Sequence, residues 1–99
     1  MWRQGDVLIQ RVDDLPEFCV RKADLILAEG EASGHMHRVA DLDSAELFMG
    51  QGGDLFLKVT AEAATIVHDE HGPITLQRGT YRVWKQREYT PDGTMNVVD

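Results

Sequence analysis

Cysteine is nearly absent from this sequence: Cys19 stands alone among 99 residues, so no disulfide can form within the chain. Its expected role is that of a small, partly buried apolar side chain. No apolar run approaches the roughly 20 residues that cross a bilayer as a helix. The opening stretch "MWRQGDVLIQRV" carries charge early and lacks the apolar centre and cleavage site of a secretory signal. A cytoplasmic protein with no membrane partner is therefore the expectation. Basic charge is scarce as well, with 10 Lys and Arg against 17 Asp and Glu and a net charge of −7. That balance argues against nucleic acid, whose phosphates call for a basic stripe. Phosphate-cradling loops, GxGxxG, GxSxG elbows and CxxC pairs are all missing, so nothing supports nucleotide binding or Ser or Cys nucleophiles.

Sustained helical periodicity is also missing; residues 16–24 offer at most one turn. What is present is short and β-like. Stretches at 6–12, 23–30, 35–40, 45–50, 54–60, 63–69, 73–77 and 80–89 are rich in apolar or β-branched residues. Turn chemistry separates them: "DDLP", "GQGGD", "HGP" and Arg78-Gly79. A last short strand is expected near Met95–Val98. Pro16, Pro73 and Pro91 all fall at element edges, where strands tolerate them. The expectation is a single all-β domain over residues 1–99, a small barrel of about eight antiparallel strands.

The four histidines fall in two pairs, "GHMHRV" at 34–39 and "HDEHGP" at 68–73. Side chains two apart on a strand share a face, so His35 and His37 project together, about 7 Å apart at Cα. Met36 and Arg38 point away, and Val39 carries the histidine face towards an apolar interior. His68 and His71 are three apart, so alternation alone opposes them; a turn or bulge at Asp69-Glu70 has to bring both to one side. Imidazoles so arranged can share one ion at N–metal distances of about 2.0–2.1 Å. His35, His37, His68 and His71 are accordingly the candidate metal ligands. The expected cofactor is a divalent transition metal, zinc first, with Fe, Ni, Mn and Cu as alternatives.

From these residues the chain resembles the cupin superfamily in its smallest single-domain form. "GEASGHMHRVAD" looks like the first cupin motif, with Gly30, His35, His37 and Asp41 in its places. The spacer from Gly30 is one residue short, and the acid is Asp in place of Glu. "GPITLQRGTYRV" resembles the second motif at Gly79, but Gln77 replaces its proline and Arg82 stands where its histidine falls. The resemblance implies a double-stranded β-helix with a metal inside the barrel mouth, and it leaves the third ligand to His68 or His71.

The function expected is that of a small metalloenzyme, with the ion activating water or polarising a small-molecule substrate in hydrolase or lyase chemistry. Glu70 is the candidate for proton transfer. Glu31 is a candidate for orienting an imidazole, and Trp84, Arg87 and Tyr89 for lining a pocket. The alternatives are a non-catalytic metal- or ligand-binding module and a metal-free interaction domain. Exposed sheet edges in so small a chain lead us to expect a homodimer.

Overall fold

The computed structural model describes residues 1–29, 34–90 and 93–96, with side chains through Gln86. Ten strands follow in order: β1 (Trp2–Gln4), β2 (Val7–Val12), β3 (Cys19–Arg21), β4 (Ile26–Glu29), β5 (Met36–Val39), β6 (Ala45–Gly50), β7 (Leu55–Val67), β8 (Ile74–Lys85), β9 (Arg87–Thr90) and β10 (Gly93–Asn96). There is no helix among the described residues. Eight antiparallel strands form one sheet in the order β1-β2-β8-β7-β5-β4, with β6 also on β7 and β3 on β6. The sheet curls into a half-barrel, which bears out the all-β expectation. Segment 16–24 holds β3 and no helical turn; its Val20 lies opposite Met49 of β6.

The sequence suggested four strands where the structure has two long ones. Residues 54–60 and 63–69 merge into β7; 73–77 merges with the first part of 80–89 into β8, which ends at Lys85 before β9 begins at Arg87. The expected breaks are an irregularity inside a continuous hairpin: Val59 pairs with Gly79 and Ala63 with Gln77, leaving extra residues at 60–62. The amides of Thr60 and Ala61 donate to Ser44 O at 2.9 and 3.1 Å, so the bulge is hydrogen-bonded from outside the hairpin. Opposite it, Gly79 has φ +154°, and a Cβ there would lie 2.9 Å from the Arg11 guanidinium.

This bulge decides which side chains face inward. Before it Leu57 and Val59 are buried; beyond it Ala64, Ile66 and His68 are. The inward phase thus passes from odd to even numbers. The free edge of β7 divides in the same way: β6 takes residues 55–59 and β5 takes 66–67.

The core is the inward face of the curled sheet. Val7, Ile9, Leu27, Val39, Leu47, Leu57, Ile66, Leu76, Tyr81 and Val83 are all buried. Tyr81 keeps its hydroxyl satisfied by donating to Gln77 O at 2.6 Å. Leu57 is fully buried and sits directly between Leu47 and Tyr81 on the neighbouring strands. Leu57→Ala should lower the free energy of unfolding by about 2–5 kcal/mol. Urea titration should show the midpoint falling with the slope unchanged.

Candidate functional site

The site starts with a two-residue hairpin that the sequence reading passed over. β1 and β2 pair down to Gln4 opposite Val7, leaving Gly5 and Asp6 as the turn. Gly5 has φ +60° and Asp6 does not have a positive φ, the pattern of a type II′ turn with glycine first. Such a tight turn aims both flanking side chains inward: Gln4 is 2% and Asp6 1% exposed. Gly5 is required twice over, because a Cβ there would also lie 2.6 Å from His71 Nε2.

Gln4 organises what surrounds it. Its amide nitrogen donates to Ile66 O at 3.0 Å and Gly72 O at 2.9 Å, using both hydrogens. That fixes its orientation, so Oε1 faces His37 Nδ1 at 2.9 Å and accepts from it. His37 therefore carries its proton on Nδ1 and presents the lone pair of Nε2. Nε2 lies 3.6 Å from Asp6 Oδ1, and Asp6 Oδ2 lies 3.6 Å from Lys85 Nζ.

All four histidines meet here. His37 projects inward from β5 next to Val39, and both are buried, while Met36 and Arg38 are exposed. The ring of His37 is 4.2 Å from that of His68 and 6.2 Å from that of His71, centroid to centroid. His68 and His71 stand 4.7 Å apart, so the turn after β7 does bring that pair to one side. His35 reaches His68 edge-on at 5.6 Å. It lies at the rim, half-buried, with Nδ1 2.5 Å from Glu70 Oε1 and Nε2 3.8 Å from Asp69 Oδ2. The exposed Glu70 also donates its backbone amide to His68 Nδ1 at 3.0 Å. His68 must then hold its lone pair at Nδ1, and the neutral ring carries its proton on Nε2.

Among the described residues, no group of three or more His, Cys, Asp or Glu side chains is arranged to hold one ion as it stands. Two contacts bear on this: the Glu70 amide donates to the lone pair of His68, and the Glu70 carboxylate lies against His35. Asp41 lies elsewhere; it is exposed and accepts from the Asp43 amide at 3.0 Å in the turn before β6. Trp84 lies under the Arg82 guanidinium at 5.1 Å. Glu31 and the side chains of Arg87 and Tyr89 fall outside the described residues. A groove of about 600 Å³ opens at Arg21, Lys22, Leu25, Arg38 and Leu42. Two of its cations are engaged, Arg21 by Glu46 and Lys22 by Asp24.

Burial lowers the pKa of His37 from 6.5 to about 4; His68 adds to the fall and Asp6 opposes it. Between those values the unfolded chain binds the proton that the folded chain refuses. The contribution of His37 to stability is thus complete above pH 6.5 and is lost as the pH falls to about 4. The loss is of the order of 3 kcal/mol. Unfolding titrations of chelator-treated protein across this window should show that slope, and His37→Gln should remove it. A second prediction concerns Gln4. Gln4→Leu leaves His37 Nδ1–H and two carbonyls without their partner and should cost at least about 1–3 kcal/mol in the same titrations.

Residues 3–86 match the family described as a domain of unknown function (DUF8820), and the chain belongs to that family. The matched span contains Gln4, Asp6, all four histidines and Lys85. No curated protein and no solved structure matches the chain.

Proposed function

We propose that the domain is a small, cupin-like metalloprotein. It binds one divalent transition ion, zinc first, at its histidine cluster and uses it to activate water or polarise a small carbonyl-type substrate. The observation that carries this reading is the convergence of imidazoles from β5 and from the β7–β8 turn, with ring centroids 4.2–6.2 Å apart. Imidazoles bonded to one ion at about 2.0–2.1 Å stand some 4.5–5.5 Å apart between centroids. The His68–His71 spacing of 4.7 Å falls within that range, and the other two lie within about 1 Å of it. Glu70, whose carboxylate lies 2.5 Å from His35 Nδ1 at the rim, would carry a proton between the site and solvent.

Protein prepared without a histidine tag and supplemented with each metal in turn should carry close to one ion per chain by elemental analysis. His37→Ala should remove most of it. Fewer than about one ion per ten chains under every metal would end the reading.

One observation favours a non-catalytic metal module instead: His37 is wholly buried and His68 is 9% exposed, so the cluster is nearly closed. Azide added to the cobalt-loaded protein separates the two. A change in the visible spectrum indicates an exchangeable position and an enzyme. An unchanged spectrum indicates a closed ion.

A further inference from the structure

The sheet forks along the free edge of β7, and the fork opens a groove that none of the histidines lines. We infer that this groove binds a small carboxylate with an apolar body, its anionic end on Arg38 and its apolar part against Leu25, Ile26 and Leu42.

The fork follows from the strand pairing. β6 pairs with residues 55–59 of β7, and β5 pairs with residues 66–67 of the same edge. Residues 40–44 cross from one ladder to the other. The Ala40 amide donates to Thr65 O at 2.9 Å, and Ser44 O accepts from the Thr60 and Ala61 amides. Farther out, β4 follows β5 and β3 follows β6, and these two outer strands share no ladder among the described residues. The space left at the fork is about 600 Å³. Sites for small molecules span roughly 300–1,000 Å³. The most buried residues lining it, Val39 and Ala45, belong to the core, so the groove reaches down to the packed interior.

Its lining is cationic in an acidic protein. The chain has a net charge of −7, yet Arg21, Lys22 and Arg38 line the groove against one carboxylate, that of Asp24. Two of these cations are already matched. Arg21 Nη1 lies 3.1 Å from Glu46 Oε2. Lys22 Nζ lies 3.6 Å from Asp24 Oδ1 and donates to Ile26 O at 3.5 Å. Asp24 Oδ1 also accepts from the Ile26 amide at 3.1 Å, so its charge is engaged within its own connection. Arg38 is exposed, and its side chain has no ion-pair or hydrogen-bond partner among the described residues. It is the unmatched charge of the groove. A guanidinium fork meets a carboxylate through two parallel hydrogen bonds.

The remaining surface is apolar. Leu25 packs half-buried against the core, and Ile26 of β4 lies directly opposite Arg38. Leu42, 72% exposed, completes the lining. A bare inorganic anion would engage Arg38 and leave these side chains in water. An uncharged apolar molecule would cover them and leave the guanidinium without a partner. A carboxylate carrying an apolar body satisfies both.

Octanoate is the probe that tests this. Titrated into nitrogen-15-labelled protein, it should saturate and shift the amides of residues 22–26 and 38–42, equally with and without added zinc. Octan-1-ol and inorganic phosphate each lack one half of the ligand and should bind at least about tenfold more weakly. Arg38→Gln should weaken octanoate at least about tenfold, while Arg78→Gln, outside the groove, should stay within about twofold of the parent chain. Arg38 is exposed, so its replacement keeps the fold, and unchanged amide positions away from the groove verify that. No saturation below about 10 mM would overturn the inference. So would shifts centred on the histidines or dependent on zinc, phosphate bound as tightly as octanoate, or parent-like affinity in Arg38→Gln. Groove amides that shift when the protein alone is diluted would assign the groove to a second copy of the chain and overturn it as well. None of these outcomes touches metal uptake, so the metal reading stands or falls separately.

Discussion

One side-chain amide ties the structure to its site. Gln4 is buried, and each of its polar groups is used: two hydrogens on the carbonyls of Ile66 and Gly72, one oxygen on His37. Its partners belong to β7, to the turn after it and to β5, so one residue near the start of the chain joins three segments far along it. A buried amide with every bond made is directional in a way that apolar packing is not. Reversing it would place an NH2 against His37 and an oxygen against two carbonyls, so a single orientation holds. The tautomer of His37 is then a consequence of the fold and does not depend on solvent.

Gln4 can reach those partners because the long hairpin curls. The first turn meets β8 near its end, where the Gln86 amide donates to Asp6 O at 2.7 Å. It also meets the loop that precedes β8, through Gly72. A flat pair of strands as long as β7 and β8 would hold these two places some 40 Å apart at the usual rise. Bulges raise twist and bend strands. The one at 60–62, opposite Gly79, sits where β7 changes neighbours from β6 to β5. The same irregularity shifts the inward phase and turns His68 into the interior. Curl and histidine orientation thus have one local origin.

The sequence carried the local half of this arrangement. Alternation placed His35 and His37 on one face and Val39 behind them, and His37 and Val39 are both buried. The need for a turn between His68 and His71 was also legible, since three residues on a strand reverse the face. Asp6 and Gln4 were not found, although "QGD" between two apolar stretches is the signature of a two-residue hairpin with glycine first. Reading that signature would have given the turn but not its target. Gln4 meets Gly72 across 68 residues of chain, and alternation says nothing about which turn packs on which. The bulge was hidden for a related reason. Ala61 and Glu62 look like a break between two strands, and the bonds of the Thr60 and Ala61 amides to Ser44 form only once β6 lies alongside.

A cluster of this composition is hard to explain as a device for stability. Burying a carboxylate and two imidazoles desolvates groups that water solvates well, and well-packed apolar residues of similar volume often serve stability better. His37 makes the point most directly, because burial holds it neutral down to about pH 4. Strongly perturbed groups gathered in one place are a mark of functional sites. The particular perturbation is also informative. A ligand must be deprotonated before an ion can bind it, and binding to a protonated one must first release the proton. His37 is already neutral and its tautomer is fixed by Gln4, so an ion bonded there would displace no proton. The Glu70 amide places His68 in the opposite state, with its proton on Nε2. Two neighbouring imidazoles are thus held in opposite tautomers by two different hydrogen bonds.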